Sequence, residues 1–90
     1  MYFLILDNQI IAHGTKREDL SDTFRETMYR LLSSSLSLYI DGEPVSNSLP
    51  STFPERLDAV DYYMLNGTDT FIFKSAGNCE SVVHIQSYNI

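Results

Sequence analysis

Two histidines, one cysteine and twelve carboxylates are the side chains with which this chain could do chemistry. Cys79-Glu80 with His84 suggests a thiol activated by an imidazole. That chemistry needs both groups within hydrogen-bond reach and a third group to orient the base. No third group is evident. If Ser81–Tyr88 is a strand, Cys79 falls in the turn before it, and the two read as a turn cysteine and a strand histidine. His13 and His84 could meet across a sheet as metal ligands, but no spaced set of Cys, His and Asp accompanies them. Asp7, Asp41 and Glu43 fall at turn tips, where acids are favoured for backbone reasons. Asp41-Gly42-Glu43 lacks the ligand spacing of a calcium loop. The four glycines are isolated and form no phosphate loop. The residues therefore point away from catalysis and from a bound metal or cofactor, and the chain reads as non-enzymatic.

What remains is charge. Residues 1–30 hold five acids and four bases, whereas residues 31–90 hold seven acids against Arg56 and Lys74. The stretch from Asp41 to Asp69 has six acids and Arg56 as its one base. A formal charge of -6 disfavours nucleic-acid binding and favours a basic protein partner. The six bases do not cluster into a nucleic-acid footprint.

Ninety residues predict a single domain, 1–90, with a modest core that dimerisation would support. Cys79 alone allows no internal disulfide and fits a reducing cytoplasm. Tyr2–Leu6 is apolar but is broken by Asp7 and has no basic leader, so it does not read as a signal peptide. No run approaches the length of a membrane span. The expectation is a soluble cytoplasmic protein, in which the Asn66-Gly67-Thr68 glycosylation pattern has no consequence.

Two segments share a layout. Tyr2–Leu6 and Gln9–His13 flank Asp7-Asn8 and read as a hairpin. Gly14 then breaks the strand, and Thr15 and Glu18 form a capping box for a helix over roughly residues 16–32. Leu36–Ile40 and Glu43–Val45 flank Asp41-Gly42, a second hairpin whose return strand Pro44 confines to an edge. Thr52 and Glu55 form a second capping box, and a helix follows to about Leu65, where Asn66-Gly67 stops it. The pattern reads as a degenerate ββα repeat, the alternative being a coincidence of common motifs. Thr70–Ser75 and Ser81–Tyr88 around Ala76-Gly77-Asn78 complete ββαββαββ. The fold class is α+β, an antiparallel sheet of hairpins with two helices on one face.

On a helical wheel, Leu20, Phe24, Met28 and Leu31 form the apolar stripe of the first helix, with Glu18, Asp22 and Glu26 in a row behind it. Phe53, Leu57, Val60 and Met64 form the stripe of the second, with Glu55, Asp58 and Tyr62 behind and Asp61 on the flank. A carboxylate row of this kind could imitate phosphates, or be an ordinary solvated helix face. Members of one row rise about 6 Å apart, against ~3.4 Å between phosphates of one DNA strand. A mimic would need both helices and the turn tips.

Small size, acidity and the lack of catalytic residues give a profile that resembles the small acidic proteins with which bacteriophages inhibit host restriction, CRISPR or transcription machinery, some of them DNA mimics. The resemblance implies an inhibitor that occupies the groove of a basic, nucleic-acid-binding host protein. Its contact residues would be Asp41, Glu43, Glu55, Asp58, Asp61 and Tyr62, with Glu18, Asp22 and Glu26 joining if folding or dimerisation brings them alongside. The alternative is a structural or regulatory dimerisation module, joined through an edge strand or the tyrosine-bearing faces.

Overall fold

A computed structural model describes residues 1–76 and 78–89. Strands β1 (Tyr2–Leu6) and β2 (Gln9–Gly14) form the first hairpin. A 3-10 turn over Arg17–Leu20 leads into α1 (Ser21–Leu32). Strands β3 (Ser37–Ile40) and β4 (Glu43–Pro44) form the second hairpin, followed by α2 (Phe53–Leu65). Strands β5 (Thr70–Ser75) and β6 (Asn78–Ser87) close the chain's α+β fold.

The two tight turns follow from their residues. Asp7 and Asn8 both have positive φ, as do Asp41 and Gly42. The primed two-residue hairpin turns need that geometry, and Asn, Asp and Gly tolerate it best. In the third hairpin β6 already begins at Asn78, so Asn78, Cys79 and Glu80 belong to the strand, not to the turn expected there. The Gly77 part of that turn lies outside the described residues.

All six strands pair antiparallel in the order β2-β1-β6-β5-β3-β4. The last hairpin of the sequence is thus the middle of the sheet. The two ββα units flank it in mirrored order, β2-β1 on one side and β3-β4 on the other. This arrangement accommodates the repeat read from the sequence. Pro44 lies on the outermost strand, where its missing N–H leaves no ladder partner wanting.

Alternation along the strands separates two faces. Leu4, Leu38, Phe71, Phe73, Val83 and Ile85 point one way and join Leu20, Phe24, Met28, Val60 and Met64 of the helices in one buried cluster. At its centre, the rings of Phe24 and Phe71 meet edge to face, 5.1 Å between centroids. Both helices therefore pack on the same face. Phe3 and Ile5 point the other way, and Ile5 is buried without belonging to that cluster.

The helix ends differ from the two capping boxes expected. At the first, Asp19 is the capping carboxylate: its Oδ2 accepts the N–H groups of Thr15 and Lys16, each at 3.0 Å, and lies 3.2 Å from the Thr15 hydroxyl. Glu18 stays exposed, 3.8 Å from the Lys16 ammonium. The turn has its N-cap at Lys16, one residue later than Thr15, so the residue three positions on that reaches back to the chain is Asp19 rather than Glu18. At the second, the Thr52 hydroxyl donates to Glu55 at 2.7 Å, but Thr52 makes no side-chain bond to the helix backbone. Gly67, at φ +108°, ends α2 in a Schellman motif, with Thr68 N–H donating to Tyr63 C=O and Gly67 N–H to Met64 C=O.

Candidate protein-binding surface

The two helices lie side by side and antiparallel, as their cross-contacts show. Arg17 donates to the carbonyls of Met64 and Thr68 and pairs with Asp69. Ser21 Oγ lies 2.7 Å and 2.9 Å from the two oxygens of Asp61. Arg25 reaches Asp58 at 2.7 Å and Asp61 at 3.3 Å. Tyr29 packs edge-on against Phe53, 5.1 Å between centroids. Arg17, Ser21, Arg25 and Tyr29 recur every four residues, the spacing that keeps side chains on one helix flank. They form a polar seam between the helices above the apolar core. Arg17 also places its cation at the carboxyl end of α2, where the helix dipole favours positive charge.

The seam decides which acids remain available. Asp61 is 8% exposed and is held by Ser21 and Arg25. It is therefore not part of an outward acidic surface, which corrects its sequence assignment. The flank position on the wheel was right, but the flank faces α1 instead of solvent. Asp58 is exposed yet shares the Arg25 guanidinium, whose pKa is raised above its ordinary value first by the Asp58 hydrogen bond and further by Asp61. Asp69 is paired with Arg17. Asp7 accepts the Val82 N–H at 2.8 Å and the Ser81 hydroxyl at 3.2 Å, so it braces the turn against β6. Three hydrogen bonds hold the Asp19 carboxyl below the usual carboxylate range, the Lys16 N–H being the strongest cause.

Glu18, Asp22 and Glu26 are exposed, one residue beyond the seam row and so about 100° further round the helix, toward solvent. On α2, Glu55 and Tyr62 occupy the matching outward positions and are exposed, Tyr62 by 67%. The antiparallel pairing sets Glu26 near the Asp58 end of α2 and Glu18 near its Leu65 end. The structure thus brings together Glu18, Asp22, Glu26, Glu55, Asp58 and Tyr62 on the outer side of one helix pair. The bases beside them are Arg25, already engaged, Lys16, whose ammonium lies 3.8 Å from Glu18, and the exposed Arg30, which follows Glu26 in the same row.

Asp41 and Glu43 do not join this set. Ile40 pairs with Phe71, so the β3–β4 tip lies at the end of the sheet where β5 begins, just after α2 has ended. Glu55 starts α2, about 15 Å away along the helix axis. The tip is exposed, but at the sheet margin.

The candidates for chemistry are kept apart. Cys79 and His84 lie in one strand, about 17 Å from each other along it. His13 and His84 share the helix-free face, but β1 runs between their strands, so their backbones stand about 10 Å apart or more. Among the described residues no three potential metal ligands come together. A shallow depression of about 330 Å³ is lined by Lys16, Arg17, Glu18 and Leu65, which offer no nucleophile or general base pair. Among the described residues no helix is long and apolar enough to cross a membrane.

Sequence reasoning missed the role of Arg25. Its signal was present, since Arg17, Ser21 and Arg25 form a polar row beside an apolar stripe, which suits a helix–helix boundary. Comparison with known proteins gives no match to a family model, a curated protein or a solved structure.

Proposed function

We propose that this chain is a non-enzymatic binding protein that presents the outer side of its helix pair to a basic, nucleic-acid-binding host protein and so inhibits it. The observation that carries this reading is the set of exposed carboxylates, Glu18, Asp22 and Glu26 in one row and Glu55 at the start of α2, beside an arginine already spent on Asp58 and Asp61. Packed helix axes stand about 8–10 Å apart, so Glu55 widens the acid row sideways near its Glu26 end, where Arg30 closes the row. Tyr29 and Tyr62 lie beside these acids, 57% and 67% exposed, and would add rigid contact area at low entropic cost. The partner would meet this surface in the cytoplasm of a bacterial host.

The test is capture from a bacterial lysate by the immobilised chain, eluted with a salt gradient. The expected result is nucleic-acid-binding proteins that elute at moderate salt and are displaced by duplex DNA. Charge reversal at Glu18, Asp22, Glu26 and Glu55 should abolish the capture. Binding that is indifferent to salt, or that survives the reversal, removes the reading.

A second reading, a dimerisation module without acidic docking, is favoured by a separate observation. One face of the sheet carries no helix.

A further inference from the structure

Phe3, Ile5, Tyr39, Ile72, Val82 and His84 lie on the face of the sheet opposite the helices, on its four inner strands. Cross-strand register places them side by side: Ile5 opposite His84, Val82 opposite Ile72, and Ile72 opposite Tyr39. The carboxylate that borders this part of the face is Asp7, and its oxygens are taken by the Val82 N–H and the Ser81 hydroxyl; the six side chains themselves carry none of the chain's twelve. Their basic neighbour is Lys74, whose ammonium lies 4.5 Å from the centroid of the Tyr39 ring. In a chain of charge -6, the acids have been kept to the helix layer, the turns and the sheet ends.

We propose that this face is the interface of a homodimer, in which two copies stack their sheets with the helices outermost. Charge is the first argument for a second copy as the occupant. A basic partner would find little beyond Asp7, already bonded at the margin, and an acidic one would meet little beyond Lys74. A copy of the same face is neutral and apolar in the same places. The helix layers would then lie on opposite outer sides, with both sheets between them. Facing sheets alone are about 10 Å apart, so these layers are separated by well over the ~8 Å screening length of physiological salt. Two chains of charge -6 can therefore meet at this face without bringing their acid rows together.

Size is the second argument. The molecule measures 39 × 26 × 20 Å. The rectangle that bounds its broad side is about 1,000 Å², so an interface near the ~800 Å² per partner of a standard stable complex would take in most of the sheet face, outer strands included. A ninety-residue chain whose one core fills a single face of its sheet gains most from covering the other. Twisted sheets stack with their strands about 30° from parallel, which lets identical faces pair about a twofold axis.

The test is light scattering across about 1–100 μM, a range that detects micromolar affinity. The expected species has twice the 10.3 kDa chain mass. Ile72→Glu and Val82→Glu should each weaken the dimer roughly a hundredfold or more, since each would bury an unpaired charge. Both variants should keep the far-ultraviolet circular dichroism of the parent. Reversal of Glu18, Asp22 and Glu26 should leave the dimer intact, which separates this proposal from the acidic-docking reading. Tyrosine iodination of the unmodified chain needs no variant to fold. Tyr39, and Tyr88, whose ring lies 5.5 Å from that of Phe3 between centroids, should become shielded as concentration rises, while Tyr29 and Tyr62 stay reactive. A monomer at 100 μM, a dimer indifferent to both sheet substitutions, or shielding of Tyr29 and Tyr62 in place of Tyr39 and Tyr88 would overturn the proposal.

Discussion

Arg25 is bound by two aspartates, and the structure predicts that they are far from equal. Asp58 is mostly exposed, so its pair with Arg25 competes with water and is screened by salt. Pairs of that kind contribute below about 1 kcal/mol. Asp61 is buried, and its carboxylate takes both the Ser21 hydroxyl and the second Arg25 nitrogen. Asp61→Ala removes two charge-assisted contacts and leaves the half-buried Ser21 hydroxyl without its acceptor. One such bond contributes about 1.5–3 kcal/mol. Breaking a fully buried ion pair costs about 3–5 kcal/mol. Arg25 stays partly hydrated and keeps Asp58, so the loss should be about 2–3 kcal/mol. A domain of this size changes its Tm by about 4–8 °C per kcal/mol, which makes the expected fall roughly 10–20 °C. Thermal unfolding followed by circular dichroism would read it. Asp58→Ala should move Tm by a few degrees at most. A double-mutant cycle between Ser21→Ala and Asp61→Ala should show coupling of about 1 kcal/mol or more. Equal effects of the two aspartate substitutions would refute the reasoning, because they would mean that burial of the seam does not matter.

Two more outcomes follow from the start of α1. The folded-state pKa of Asp19 is lowered, so its contribution to stability is full above the ordinary carboxylate range and is lost as pH falls through the depressed folded value. Asp19→Asn should lower Tm at neutral pH and flatten the acid limb below about pH 4 in melts taken across pH; an unchanged acid limb would exclude the cap. Gly14→Ala would place a Cβ 2.3 Å from Asp19 Cβ, closer than any real contact, so chain or cap must shift. Denaturant melts should show a loss of about 1–3 kcal/mol, as for other overpacked sites, and a neutral result would mean that the 3-10 turn moves freely.

Much of the fold could be read from the chain because it is written locally. Asp-Asn and Asp-Gly between alternating strands fix two hairpins, and Asn66-Gly67 fixes the end of α2. Pro44 marks its own place on an edge. Strand order could not be read in that way, since pairing of Tyr2 with Ser87 joins residues almost a full chain apart and no local pattern encodes it. The candidate surface divides along the same line. Glu18, Asp22, Glu26, Glu55 and Tyr62 face outward because helix period alone sets them opposite their apolar stripes. Asp61 fell on the wrong side of the account because its environment belongs to α1, which a wheel of α2 cannot show. Asp41 and Glu43 were grouped with Glu55 by charge, whereas strand direction sends them to the other end of α2.

The place of the last hairpin has a consequence for how this molecule comes into being. β1 and β3 are not neighbours, and β5 and β6 stand between them. Until residues 70–87 are available, the first seventy can form two hairpins and two helices but no common sheet. Neither half has a partner for its inner strand, and the apolar stripes of both helices have only half a floor. A growing chain must therefore hold its two units apart and wait, with sticky strand edges uncovered. The closing step joins residues far apart in sequence and should be slow for so small a domain. Truncation within β6 would not merely shorten the sheet; it would split it into two pieces, and the quality control of a cell should recognise those as unfinished protein.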